Sequence, residues 1–406
     1  MIARSERLSY LDGLRGIAVL LVLVYHAWVH LIALAPSHTE TATTAWYFAG
    51  FLGDEGVGLF LVLSGFCLAI GPLRRRARGE PEWFSAREFF ARRCLRILPP
   101  YYVALIASIA VLAACESQHW PAFGSDDGYG LAAGSIVAHA LLIHNLTGHT
   151  FSLNSAFWSL GLEWQWYWAF PFVLVGAVRY PRLTLGLSAL LALVWLMGVA
   201  WLVVSHHGQT LPPFEISQMR ALLPMRLFEF TSGLCAAQLV VRSGPARRPG
   251  ALLPLTAGVL FVVTLVAWPL VARYQMTGLL SGAGFAGVIA VTARSSSLAR
   301  ALAWRPLAGA GTVSYSVYLL HWPAMQAVEF ALPRSTPGVA VAIAGIFGGV
   351  LAGLALHMSV ERWSMRQSTR ERWEPLLMRG LAWTDALPGG RPGKRPGHQD
   401  AVRLPA

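Results

Sequence analysis

Apolar runs of about the length needed to cross a bilayer, roughly 20 residues, recur along almost the whole chain, broken by short polar connectors. They predict membrane-spanning helices near 14–34, 51–71, 97–115, 157–178, 183–205, 220–241, 251–271, 276–293, 309–330 and 338–358. An eleventh stretch, 131–146, is shorter and carries His139, His144 and Asn145. The run from Gly16 to Ala35 is too long for the apolar core of a signal peptide, and Pro36 follows the would-be cleavage point, so it reads as a first span.

The placement of cations decides how the eleventh stretch is treated. The segment 72–96 holds Arg74, Arg75, Arg76, Arg78, Arg87, Arg92, Arg93 and Arg96, whereas 35–56 and 116–156 hold neither Lys nor Arg. Cytoplasmic connectors carry the excess of Lys and Arg. With 131–146 not crossing, Arg179, Arg182, Arg242, Arg247, Arg248, Arg294, Arg300 and Arg305 also fall inside, and Arg273 and Arg334 alone fall outside. The expectation is therefore an all-α integral membrane protein of the plasma membrane, with about ten transmembrane helices and both termini cytoplasmic. On this reading 131–146 is an external or re-entrant helix. The chain divides into a membrane domain at 1–365 and a basic tail at 366–406. The tail opens on a short interfacial helix and is disordered past about 388.

Composition agrees with this picture. Hydrophobic residues make up 55% of the chain and charged residues 13%, about half the charged share of a soluble domain. The net charge of +12 reports topology rather than a nucleic-acid partner, because the cations sit between spans. Cys67, Cys94, Cys115 and Cys235 form no C-x-x-C pair and read as small core fillers. His139, His144 and His149 recur at five-residue spacing, which spreads them round a helix, and no metal site is expected. Gly345, Gly349 and Gly353, like Gly278, Gly282 and Gly284, read as close-packing positions.

Ionisable groups inside a span cost on the order of 2.5–3.5 kcal/mol at mid-helix on insertion scales, so each asks for a reason. Arg15 and His26 lie eleven residues apart, three turns plus about 20°, which puts both on one face with the His about 16 Å deeper. That arrangement suits an anionic cofactor whose arm reaches a general base; it equally suits a snorkelling Arg above a hydrogen-bonded core His. Asp12 lies one turn before Arg15. Glu163 sits near the outer end of the fourth span, among Trp158, Trp164, Trp166 and Trp168, a cluster resembling an interfacial belt. Ser314, Tyr318 and His321 share a helix face, lining either a cavity or a helix contact.

Together these segments resemble one family, the bacterial multi-span acyltransferases of acyltransferase family 3. Leu11-Asp12-Gly13-Leu14-Arg15-Gly16-Ile17-Ala18 followed by His26 resembles its Arg-x10-His signature. Leu63-Ser64-Gly65-Phe66, Phe89 to Pro99 with its Arg-x-x-Arg, Trp158-Ser159-Leu160 with Glu163 and Tyr167, and Ser314 to Pro323 are similar to its later motifs, in order, over roughly 8–365. The resemblance implies a membrane O-acyltransferase that moves an acyl group, commonly acetyl, from acyl-CoA as co-substrate to a hydroxyl of a sugar, surface glycan or secreted natural product. It implies no permanently bound cofactor. His26 would be the general base, Glu163 an orienting or polarising acid, and Arg15, Arg93 and Arg96 the contacts to CoA. Asp12, Ser64, Trp158, Tyr167, Ser314, Tyr318 and His321 would line the substrate cavity. Two departures stand out: Gly58 occupies the place of an acid the family usually carries, with Asp54 and Glu55 displaced upstream, and no fused hydrolase-like domain is expected here. The rival expectation is a proton-coupled secondary transporter, with His26, Glu163 and His321 as a relay.

Overall fold

The computed structural model describes residues 9–33, 40–118, 131–205, 221–243 and 277–388, with isolated positions 219, 259 and 263. Among these residues all regular structure is helical. The elements are α1 (Ser9–Ala33), α2 (Glu40–Ala77), α3 (Ala86–Ser117), α4 (Ala133–Ala140), α5 (Trp158–Arg179) and α6 (Pro181–Ser205). They continue with α7 (Leu223–Ser243), α8 (Thr277–Thr292), α9 (Ser296–Leu302), α10 (Arg305–Ala331), α11 (Gly338–Leu356) and α12 (Gln367–Gly380). Nine of the ten anticipated spans coincide with one of these helices; the tenth, 251–271, lies outside the described residues, as does everything past 388.

Among the described residues five helical stretches are long and apolar enough to cross a membrane: Ser9–Val29, Leu52–Ala77, Ala86–Ser117, Pro181–Leu202 and Gly338–Ser364. A sixth counts if Gly278–Thr292 and Ser296–Leu302, bent by 110° at their break, form one span. Helices α5, α7 and α10 are absent from that set for a physical reason. They carry Glu163, Arg226, Glu229, Ser314, Ser316 and His321, most of them turned into the bundle rather than toward lipid. Interior helices of a membrane protein are the ones that can hold polar groups.

Two spans are longer than anticipated. Helix α2 begins at Glu40, and α3 begins at Ala86, so Arg87, Arg92, Arg93 and Arg96 are helical rather than in a connector. Ser85 caps α3, its hydroxyl accepting from Glu88 N–H at 3.3 Å. Helix α1 packs against α2 and α10, α2 against α7, and α10 against α11. The α10–α11 seam is made close by glycines: a Cβ on Gly349 would lie 3.0 Å from His321 Cα, and one on Gly345 3.1 Å from Met325 Cγ.

The stretch 131–157 does not cross. Its one α-helix, α4, has eight residues, far short of a bilayer, and 3-10 turns follow at His144–Leu146 and Ser155–Phe157. The segment is nevertheless buried: His139, His144, Thr150, Asn154, Ala156 and Phe157 are fully enclosed. Irregular backbone inside a bundle survives only where its polar groups are answered. Tyr101 and Tyr102 hydroxyls donate to the carbonyls of His139 and Ala140, and Asn145 Nδ2 donates to the carbonyls of Trp158 and Ala221. Asn154 does the converse service for α10. Pro323 offers no N–H to the carbonyl of Leu319 one turn back, and Asn154 Nδ2 donates to that carbonyl at 3.1 Å and to Ser108 Oγ at 3.1 Å.

The tail helix α12 docks on α3. Arg92 bonds Glu374 at 3.0 Å and Glu88 at 2.8 Å, and Arg87 pairs with Asp385. Replacing Asn154 with Leu keeps a side chain branched at Cγ but strands the Leu319 carbonyl. We expect Asn154→Leu to cost about 1–3 kcal/mol, read as a lower unfolding temperature in detergent, while Ser359→Ala at an exposed hydroxyl leaves it unchanged.

Candidate active site

A cavity of about 180 Å³ opens where α1, α2, α3, α5 and α10 converge. Arg15 from α1, Ser64 and Cys67 from α2, and Arg93 and Arg96 from α3 form its polar wall with Ser159, Glu163 and Tyr167 from α5 and Ser314, Tyr315 and Tyr318 from α10. Three guanidiniums thus face one carboxylate. The excess of positive charge in a low-dielectric pocket favours an anionic ligand. Arg93 Nε is buried and makes no hydrogen bond, so that donor is still to be satisfied.

Two of the charged groups on the wall, Arg15 and Glu163, are held by neighbours. Arg15 pairs with Asp12 at 2.9 Å and points a second nitrogen at Cys67 Sγ, 3.1 Å away. Tyr167, four residues on from Glu163, donates its hydroxyl to the Glu163 carboxylate at 2.5 Å. Tyr315 donates to the carbonyl of Ile97. Tyr318 joins the opposite walls: its oxygen lies 2.7 Å from Ser159 Oγ, and its hydroxyl donates to the Ala156 carbonyl at 2.9 Å.

Two further depressions meet this cavity at the end of the bundle that carries Arg74 to Arg96. One is lined by Arg74, Arg75, Arg78, Arg92 and Arg93, the other by Asp12, Arg15, Arg74, Arg96 and Glu361. Cys67 borders all three. The core-filler expectation therefore fails for this cysteine, which stands at the junction between the arginine-rich mouth and the interior.

His26 and His321 are not on the cavity wall. Both are buried, His321 completely, and they bond one another, His321 Nε2 lying 2.9 Å from His26 Nδ1. Tyr318 and His321 stand in series between the cavity and His26: the Tyr318 and His321 rings are 5.6 Å apart and the His321 and His26 rings 4.8 Å. Asp12 is also off the wall and acts through Arg15. Trp158 is off it as well; its ring carries the Arg226 guanidinium at 5.7 Å. Shared helix face was a good guide to which residues look inward, but a face runs past several depths, and the cavity occupies only some of them.

The Trp cluster is not an interfacial belt. Trp166 is fully buried and stacked on Phe230, and only Trp168 is well exposed, stacked on Trp383 beyond α12. The connector before α5 is itself enclosed, which carries the start of α5 into the bundle.

A second polar group escaped the sequence reading. Arg226 on α7 bonds Glu229 at 2.8 Å and pairs with Asp54 on α2, with Glu55 buried beside them. A Cβ at Gly58 would lie 3.1 Å from Glu229 Oε1. The carboxylate from α7 thus occupies the space over Gly58, where the family's second helix usually carries its acid. Sequence spacing could not show this, because the two positions are 171 residues apart (229 − 58). A third group joins Glu361 in a π turn after α11 to Ser316 at 2.6 Å and His357 at 2.8 Å. Among the described residues no set of three His, Cys, Asp or Glu is placed to hold a metal ion.

Arg226→Leu removes the guanidinium that lies between the half-buried Asp54 and the buried Glu229. The expected cost is about 3–5 kcal/mol, seen as loss of a monodisperse folded peak in detergent. Arg226→Lys should recover part of it, and a variant as stable as the parent would show that the cluster is not a structural pair.

Comparison with known proteins agrees with the geometry. A putative peptidoglycan O-acetyltransferase of Bacillus subtilis is 28% identical over 77% of this chain and 48% of its own length. The peptidoglycan O-acetyltransferase of Listeria monocytogenes is 27% identical over 81% of this chain and 51% of its own. A putative membrane-bound transacylase of Komagataeibacter xylinus is 26% identical over 90% and 85%. The chain thus spans about half the length of the first two relatives. No solved structure matches it. The acyltransferase-domain model of family 3 matches residues 8–358, an interval that holds every cavity-lining side chain, and the chain belongs to that acyltransferase family.

Proposed function

We propose that this protein is a membrane O-acyltransferase, taking a short acyl group, commonly acetyl, from acyl-CoA to a hydroxyl of a cell-surface glycan. The observation that carries the proposal is the grouping of Arg15, Arg93 and Arg96 around one cavity that leads through Tyr318 to the His26–His321 pair. The relatives named for peptidoglycan O-acetylation favour a carbohydrate polymer as acceptor. A secreted natural product is the alternative acceptor, and the proton-coupled transporter reading draws no support from these relatives.

The chemistry follows from the residues. Phosphate oxygens of the donor suit the fork geometry of Arg93 and Arg96, and the arginine-lined mouth beside them, with Arg74, Arg75 and Arg78, raises the local concentration of a polyanion. By the positive-inside rule that mouth is cytoplasmic, where acyl-CoA is made. The same rule supports ten spans with both termini inside and a plasma-membrane location. A thioester entering there points its acyl end toward Tyr318. His26, about 16 Å along α1 from Arg15, takes the proton of the acceptor hydroxyl as that oxygen attacks the carbonyl carbon. The carbon–sulfur bond breaks, and the proton passes to the departing thiolate. Glu163, held by Tyr167, sets the field at the arginines.

The test is transfer of label from [14C]acetyl-CoA to soluble peptidoglycan fragments by the purified chain in liposomes. His26→Ala is expected to abolish transfer. Arg93→Ala and Arg96→Ala should each raise KM for acetyl-CoA by roughly tenfold or more, the worth of one charge-assisted hydrogen bond, and Lys at either position should rescue poorly. Undiminished transfer by His26→Ala would remove the imidazole from the reaction, and movement of intact glycan without a covalent product would sink the enzyme reading.

A further inference from the structure

Three contacts fix where the protons of the two buried imidazoles reside. His321 Nδ1 lies 2.7 Å from the Tyr318 carbonyl oxygen, and a carbonyl only accepts, so this nitrogen carries the hydrogen. In a neutral ring that leaves the lone pair on Nε2. Nε2 faces His26 Nδ1 at 2.9 Å, so His26 donates there. The same Nδ1 lies 3.1 Å from the Val22 carbonyl, a second acceptor for the same hydrogen. With both rings neutral, no other assignment satisfies all three contacts. The lone pair of His26 is thereby set on Nε2.

We propose that His321 is a positioning residue for acyl transfer, holding His26 in its Nδ1–H tautomer so that Nε2 is the basic nitrogen. The inference rests on the function proposed above. When Nε2 takes the acceptor's proton, His26 becomes an imidazolium, and its Nδ1–H still points at the neutral acceptor on His321. When Nε2 gives that proton to the thiolate of the departing donor, the original tautomer returns. His321 itself neither gains nor loses a proton. An uncharged acceptor suits this depth, because a buried carboxylate in its place would carry a desolvation cost.

The surroundings keep the pair in register. Gly349 lets the α11 backbone press on His321 Cα, and the Tyr25 and Trp322 rings pack on His26 with centroids at 4.7 and 5.1 Å. Among the described residues, Tyr25 is a titratable group in ring contact with His26, and Tyr318 one in ring contact with His321. A purely structural role would explain the burial of His321, but it places no demand on which nitrogen of His26 is protonated.

The experiment compares wild type, His321→Leu and His321→Gln as full-length protein. The glutamine keeps an amide oxygen able to accept from Nδ1–H. Nitrogen-15 NMR of histidine-labelled protein in detergent, with His26 assigned by its loss in His26→Gln, reads the tautomer directly. Kinetics with acetyl-CoA and peptidoglycan fragments give kcat, KM and the pH profile. The expected result is a tautomer mixture at His26 in His321→Leu, with kcat lowered roughly 100-fold, within the range of general-base effects. KM for acetyl-CoA should stay unchanged and the acid limb of the pH profile should move, while His321→Gln stays within about tenfold of wild type. Two results would overturn the proposal: wild-type tautomer and kcat in His321→Leu, or equal loss in both variants with the His26 tautomer intact. Absence of acetyl transfer in the wild type would count against the proposed function instead, and the NMR arm would still decide the pairing.

Discussion

A charge in the apolar layer of a membrane protein has to be answered by another side chain or by a water-filled space, and this bundle is arranged around that demand. The largest answer is Arg226, which takes Asp54 and Glu229 together and ties α7 to α2. Smaller ones are Asp12 with Arg15, Tyr167 with Glu163, and Glu361 with Ser316 and His357. The Arg226–Asp54 and Glu361–Ser316 contacts join different helical elements, whereas Asp12–Arg15 and Glu163–Tyr167 each lie within one helix, so only the first two hold the bundle as well as filling it. What the pairing leaves over is the surplus of guanidinium at the cavity, where Arg93 and Arg96 are set one turn apart on α3.

The apolar contacts serve the same end. Glycines along α11 allow it to lie against α10 at the level of Val317, His321 and Met325, and that close approach fixes the face on which the second imidazole is carried. Pro323, immediately beyond, would leave a carbonyl bare in the middle of α10, and Asn154 from the enclosed connector answers it. The enclosed connector is therefore not an ornament on the bundle: removing it would expose α10 at the depth of His321.

Much of this was readable in the amino-acid order. Apolar runs located the helices within a turn or two at most positions, and of the arginines before the third span Arg93 and Arg96 did end up on the cavity wall. Spacing placed Arg15 and His26 on one helix, as α1 shows. The misses share a cause, which is that periodicity gives the face of a residue but neither its depth nor its partner. Trp158 and His321 lie on the inward faces, yet one meets Arg226 and the other His26 instead of the cavity. The Trp cluster matched an interfacial belt because burial by an enclosed connector leaves no local signature. Glu229 filling the space over Gly58 depends on two helices far apart in the chain, which no local pattern records.

The placement of Tyr318 bears on what the proposed reaction can accept. Its hydroxyl is tied to Ser159 and to the Ala156 carbonyl, and its ring meets Phe60 edge-on at 6.0 Å. A tyrosine fastened at its far end and packed on its face does not swing aside without breaking both contacts. On the proposed function, the acyl group would meet the acceptor oxygen beside this ring, at the end of the cavity nearest the His26–His321 pair. On the proposed function, a small group such as acetyl would fit there, because a long chain would have to displace the Tyr318–Phe60 contact. Donor recognition would then fall to the arginines and chain-length selection to an aromatic pair, two tasks carried by different helices and separable by mutation.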